Sequence, residues 1–177
     1  LPLALVTGLF TSFSLTAHDD WNAVEYSLEK ANKPSPMPDR IVLTWEEDTS
    51  TTQSVTWRTE TSVKVGLAQI AVANSNGWAL KSDTFQAETT LFESDINKAN
   101  YHTVTFKDLS PDTLYTYRVG DGANWSEYFH FSTASDEPKP FSFIYLGDAQ
   151  NQVRMHWSRV FREAFREAPR AALALHA

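Results

Sequence analysis

Between Ile41 and Thr133 the chain breaks into short runs of alternating apolar and polar residues. They are Ile41 to Trp45, Ser54 to Arg58, Leu67 to Ala73, a weak run near Thr84 to Glu88, Tyr101 to Phe106, Leu114 to Val119 and Tyr128 to Thr133. Successive side chains of a strand point to opposite faces, so alternation makes one face apolar and leaves the other wet. Seven such strands at this spacing predict two sheets packed face to face, a β-sandwich. Val55 and Trp57 then point one way and Thr56 and Arg58 the other, while Ala68, Ile70 and Val72 oppose Gln69 and Ala71. His102 shares the face of Val104 and Phe106 and has no second donor at metal spacing, so it reads as a buried, hydrogen-bonded histidine. Asp121-Gly122 marks a hairpin turn between the last two runs, and His130, opposite Phe129 and Phe131, faces solvent.

The period changes after Ala134 to Pro140 (ASDEPKP), a polar linker with two prolines. Phe141 to Leu146 is apolar on both faces, as a strand covered on two sides would be. Trp157, Val160, Phe161, Ala164, Phe165 and Ala168 fall on one helical stripe, with Arg159, Arg162, Glu163, Arg166 and Glu167 on the solvated face and Pro169 as the stop. Ala171 to Ala177 reads as a second buried strand, giving a β-loop-α-β unit that should cross over right-handed. The resulting division is 1–17, 18–37, 38–134, 135–140 and 141–177. Pro34, Pro36 and Pro38 rule out a helix at the end of the second segment.

Leu1 to Ala17 carries no charge, is apolar at its start and ends in small residues, which resembles a secretory signal and predicts a secreted or periplasmic protein. It is too short and too rich in Thr and Ser for a stable membrane span. A net charge of -7 argues against binding nucleic acid or an anionic membrane. With no cysteine, neither a disulfide framework nor a thiolate metal site can form.

The apolar run Phe141 to Leu146 stops at Gly147-Asp148, and a carboxylate at the end of a buried strand is where metal-dependent hydrolases place a first ligand. Aspartate also serves turns and helix N-caps, although Asn151 is better placed to cap a helix beginning near Arg154 to His156. The other histidines read as structural or exposed: His18 in an acidic stretch, His156 at the helix start, His176 within the last strand. Asn124-Trp125-Ser126 is an N-glycosylation sequon for a chain exported by a eukaryote.

The segment Leu109-Ser110-Pro111-Asp112-Thr113-Leu114-Tyr115-Thr116-Tyr117-Arg118-Val119 resembles fibronectin type III domains, which carry Leu, Pro, Thr and Tyr at these offsets. The resemblance gives Leu109, Pro111 and Tyr115 structural roles, the tyrosine bonding back to the loop before it. The wider order of DRIVLTW, SVTWRT, YHTVTFKDLSPDTLYTYRVGD, WSEYFHFSTA and FSFIYLGDAQN is similar to the N-terminal portion of purple acid phosphatase-type metallophosphoesterases. That resemblance implies a mainly β chain: a seven-stranded fibronectin III-like sandwich followed by the first β-α-β unit of an α/β catalytic domain. It further implies hydrolysis of phosphate monoesters in acid at a dinuclear metal centre, iron paired with zinc, manganese or another iron. In the family's Gly-Asp-x-Gly motif, Gly147 and Asp148 match, which makes Asp148 an iron ligand by resemblance and Gly147, Gln150 and Asn151 its loop. Gln150 stands where the family has glycine and where the broader superfamily has histidine, and missing that histidine favours the purple type. The motif carrying the next aspartate and tyrosine does not occur in residues 1–177, so this stretch alone is expected to be inactive. The competing readings are a non-catalytic adhesion or carbohydrate-contacting module, and a phosphodiesterase or nucleotidase of the same superfamily.

Overall fold

The computed structural model describes residues 28–74, 81–147, 149 and 153–176. Leu1 to Ala17, where the sequence predicts an export signal, and His18, Asp148, Gln150 and Asn151 lie outside the described residues. A single helical turn, α1 (Leu28–Ala31), precedes the prolines that deliver the chain to β1 (Asp39–Thr44). There follow β2 (Gln53–Thr59), β3 (Leu67–Val72), β4 (Asp83–Gln86), β5 (Glu88–Glu93), β6 (Lys98–Phe106), β7 (Leu114–Gly120) and β8 (Phe129–Ser132). One sheet runs β1-β2-β6-β5 and the other β4-β3-β7-β8, with every pairing antiparallel.

The sandwich thus has eight strands where alternation predicts seven. The weak run near Thr84 to Glu88 divides at Ala87, with β4 pairing to β3 and β5 crossing to β6 in the other sheet. Ala87 is buried at the pivot and its N–H donates to the Gly66 carbonyl at 2.9 Å. Most of β5 is exposed at its sheet's edge, so no clean apolar face announces it.

Between the sheets lie Val55, Trp57, Val104 and Phe106 from one side and Ala68, Ile70, Tyr115, Tyr117, Val119 and Phe131 from the other. Trp57 is fully buried, and its indole N–H has no hydrogen-bond partner among the described residues. An orphaned donor costs about 1–3 kcal/mol. Removing about 200 Å² of aromatic surface from water contributes about 5 kcal/mol, so burial of the ring prevails.

Two faces depart from the alternation. Val72 is exposed because it ends β3. Arg58 is only 3% exposed although it points away from the core, because the lead-in folds over it. Its Nε and Nη2 donate to the two Asp39 oxygens at 2.7 and 2.6 Å, and Nη1 to the Asn32 carbonyl at 3.1 Å. The hydrogen bond to Asp39 raises the guanidinium pKa above its ordinary value against the cost of burial.

Beyond the linker come β9 (Phe143–Leu146), a π-helical turn (Val153–Trp157), α2 (Ser158–Glu167) and β10 (Leu173–His176), the two strands pairing in parallel. The strands are not buried as their apolar sequence leads one to expect. Phe143, Tyr145 and Leu175 are 52%, 61% and 50% exposed, and no residue of α2 is buried. Two strands and one helix do not supply the layers that cover both faces of a parallel sheet.

Candidate functional site

Parallel pairing puts the carboxyl ends of β9 and β10 at one end, Leu146 opposite His176, and Gly147 is the first residue past β9. The edge of Trp157 packs on the His176 ring with centroids 5.1 Å apart at 86°, which ties the approach to α2 to the end of β10. Strand ends and helix start therefore meet at one corner, the usual ligand position of an α/β sheet. Trp157 occupies the α2 N-cap position with helical dihedrals (φ -60, ψ -43) and makes no side-chain cap bond, because the π-helical turn runs directly into α2. His156 is exposed within that turn.

Asp148, Gln150 and Asn151, which complete the sequence motif, lie outside the described residues. Among the described residues no three His, Cys, Asp or Glu side chains come together as a metal would require. Hard cations take about six donors each, so the described side chains do not fit a two-metal centre.

The other residues singled out by sequence gather at the exit from the sandwich. The Tyr115 hydroxyl accepts from the Ser110 N–H at 2.9 Å. Thr133 Oγ1 donates to the Ser110 carbonyl at 2.7 Å and accepts from the Thr113 N–H at 3.0 Å. Thr113 Oγ1 donates to the Pro111 carbonyl at 2.8 Å, and Leu109 packs against the core. The Asp112 N–H reaches the Ala134 carbonyl at 2.9 Å, and Lys139 pairs with the Asp112 carboxylate at 2.6 Å. This corner fixes where the chain leaves β8 for the linker and β9.

His102 is fully buried, with Thr59 Oγ1 2.8 Å from Nε2 and Thr89 Oγ1 2.8 Å from Nδ1. Each ring nitrogen thus meets a threonine hydroxyl, and a hydroxyl donates to the nitrogen without the proton and accepts from the one that carries it. Burial lowers the ring's pKa below the ordinary histidine value, and the Asp121 charge opposes that shift. A neutral imidazole satisfied on both nitrogens is a core residue. Sequence reasoning overlooked one polar cluster on the opposite sheet, Arg118 with Trp125 and Tyr128. Its signal is the closeness of two aromatics and an arginine across one hairpin.

Acid phosphatase type 7 of Danio rerio is 42% identical over 64 residues, covering 35% of this chain and 14% of that protein, so the match spans a small part of the relative's length. Among solved structures, a computationally redesigned β-sandwich protein aligns at 25% identity over 56% of this chain and 96% of that chain, with a TM-score of 0.37. PhoD aligns at 14% identity over 76% of this chain and 26% of that chain, with a TM-score of 0.47. The family described as "Purple acid Phosphatase, N-terminal domain" matches residues 38–133, which run from the residue before β1 to the residue after β8. That match takes in more than half of the chain, and the chain belongs to the purple acid phosphatase N-terminal domain family.

Proposed function

We propose that this chain is the N-terminal part of an exported acid phosphatase that hydrolyses phosphate monoesters, and that residues 1–177 alone are catalytically inert. The observation that carries this reading is the order of parts. A sandwich of the purple acid phosphatase family leads through a short linker into a strand whose carboxyl end opens on Gly147-Asp148. In this reading Asp148 is one ligand of an iron ion paired with zinc, manganese or a second iron, and the remaining donors come from outside residues 1–177. The sandwich is a platform that sets the position of β9. Export is supported by the uncharged, apolar opening of Leu1 to Ala17, and no helix among the described residues is long and apolar enough to cross a membrane.

The test compares this chain with a longer polypeptide that includes the following domain. The longer protein should bind iron and hydrolyse an aryl phosphate in acid, and Asp148→Asn should remove most of the iron together with the turnover. Turnover by residues 1–177 alone, or full iron content and activity in Asp148→Asn, would sink the reading. A preference for a phosphodiester or nucleotide would change the substrate class while keeping the role of Asp148. A longer protein that neither binds metal nor hydrolyses phosphate esters would leave the adhesion module as the better account.

A further inference from the structure

Arg58 on β2 and Ala99 on β6 belong to the outer face of the first sheet, yet they are 3% and 2% exposed. Asn32 pins the lead-in over them. Its carbonyl accepts from Arg58 Nη1 at 3.1 Å and from Asn97 Nδ2 at 3.0 Å, and its Oδ1 accepts from Arg40 Nη2 at 2.8 Å. The cover does not close completely: between Asn32 and the β5–β6 turn it leaves a hollow of about 190 Å³. Room exists there because the residue that β6 sets opposite Phe92 is the small Ala99. Tyr101, opposite Arg58 in register, meets Phe92 edge to face with centroids 5.8 Å apart, and the two rings with Ile96 form an apolar wall.

The facing wall is cationic. Asp39 and Arg40 are consecutive and in a regular strand would point to opposite faces. Here the register of β1 on β2 shifts between Asp39 and Val42, and Arg40 takes a φ of 49°, a left-handed conformation that a residue with a side chain holds only when its surroundings impose it. The irregularity turns Arg40 to the side of Asp39, as bulges re-aim side chains elsewhere. Asp39 accepts from Arg58 Nε and Nη2 at 2.7 and 2.6 Å, and Arg40 Nη1 reaches the same carboxylate at 3.5 Å. One carboxylate therefore serves two guanidinium groups, and among the described residues no carboxylate lines the hollow itself. The surplus is local: charges spread over the surface of this acidic chain are screened within about 10 Å, whereas Arg58 is buried. A larger hollow of about 490 Å³ shares Ile96 and Asn97 with the first and is lined by Lys30, Lys33 and Lys98 against Glu60. Lys98 also pairs with Glu93 at 2.9 Å.

We propose that the hollow between Asn32, Arg40, Arg58 and Tyr101 binds a small ring-bearing carboxylate. Each guanidinium has five N–H donors, of which the described bonds engage two on Arg40 and three on Arg58. The ligand's carboxylate takes donors that remain, and its single negative charge matches the one cation that Asp39 leaves unbalanced. The ring lies against Phe92, Ile96 and Tyr101. An apolar cavity of about 150 Å³ holds one benzene ring, so this volume suits a six-membered ring with its carboxylate and is too small for a nucleotide. A concave apolar surface with a few fixed polar groups is the usual make-up of a small-molecule site.

Benzoate is the probe. Titrated into the 177-residue chain and followed by NMR, it should shift the side-chain N–H signals of Arg40, Arg58 and Asn97 with a Kd on the order of 1 mM, as expected for a ligand of about nine heavy atoms. Benzyl alcohol has the same ring without the charge and should bind more weakly on the order of tenfold. Arg40→Gln, at an exposed position, should weaken benzoate by a similar factor of about ten. Phe92→Ala, at a position 55% exposed, should weaken it less, and Arg159→Gln on α2 should leave it unchanged. Thermal melts of the variants verify that each is folded. Benzoate that fails to saturate these signals by about 10 mM overturns the proposal. So does equal affinity for benzoate in Arg40→Gln, Phe92→Ala and the unaltered chain, or equal affinity of the unaltered chain for benzyl alcohol. Inorganic phosphate that shifts the same signals at lower concentration than benzoate overturns the carboxylate as ligand. Binding alone is read, so these outcomes stand apart from phosphatase activity and from the proposed function.

Discussion

Tyr115→Phe takes one oxygen from the corner where the chain turns from Leu109 to Thr113 into β7. The ring itself is 7% exposed and stacks on Phe131 with centroids 5.6 Å apart at 20°, and phenylalanine keeps both its place and its neighbours. What disappears is the acceptor for the Ser110 N–H at 2.9 Å. Little volume is removed, so the cavity cost that dominates large-to-small substitutions is close to zero and the hydrogen bond stands nearly alone. Such a bond is worth a net of about 0.5–1.5 kcal/mol. Ser110 is exposed, so water can reach its orphaned N–H and the loss should sit near the middle of that range, about 1 kcal/mol. For a domain of roughly 100 residues this lowers Tm by about 4–8 °C, measurable by circular dichroism. Tyr115→Leu also removes the stack, worth about 0.5–1.5 kcal/mol more before any cavity term, and should melt lower still. A Phe variant that melts with the unaltered chain while the Leu variant falls would refute the reasoning, because the ring alone would then hold the corner.

Gly66→Ala would put a Cβ 2.7 Å from the His102 ring, which its two threonine bonds hold in place, so urea unfolding should show a loss of about 1–3 kcal/mol; an unchanged midpoint would mean that the ring yields freely. His102 also predicts a pH dependence, since burial holds its folded pKa below the ordinary 6.5 that the ring regains on unfolding. In the window between the two values the unfolded chain binds more protons, so stability is whole above about 6.5, falls as the pH drops below it, and levels off once the folded ring is protonated. His102→Gln should flatten that slope, and a urea midpoint in the unaltered chain that stays constant across the window would contradict the assignment.

The strands visible in sequence are those with one wet face and one dry face. Val55 and Trp57, or Tyr115 and Tyr117, announce themselves because the residue between them need not be apolar. β5 stays hidden because an edge strand is not held to that pattern, and its one crossing point is a single buried alanine. Burial of Arg58 is invisible for another reason: its carboxylate, Asp39, opens β1 while its cover, Asn32, lies in the lead-in, and both come close only through the pairing of β1 with β2. The Arg118 stack belongs to an intermediate class. Its three residues span one hairpin, but which ring faces the guanidinium depends on Gly120 letting an indole lie against the backbone. At the candidate metal position, Gly147 follows from the end of an apolar run, whereas the role of Asp148 rests on resemblance to a family.

The two halves of the chain differ in how far each completes its own packing. In the sandwich, rings from both sheets are buried and even a histidine finds partners for both nitrogens. In the following unit, Val160, Phe161 and Phe165 on α2 and Phe143 and Tyr145 on β9 stay exposed, while Leu146 and His176 end side by side at a corner that gathers no cluster of metal donors among the described residues. Parallel strands with apolar residues on both faces are stable when layers cover both sides. A catalytic domain of the proposed kind would add those layers, and it would bring the remaining donors to the same strand ends, because ligands in such sheets collect where the strand-to-helix loops converge. On the proposed reading, the open apolar faces and the incomplete donor set have a single cause, and residues that satisfy one should satisfy the other.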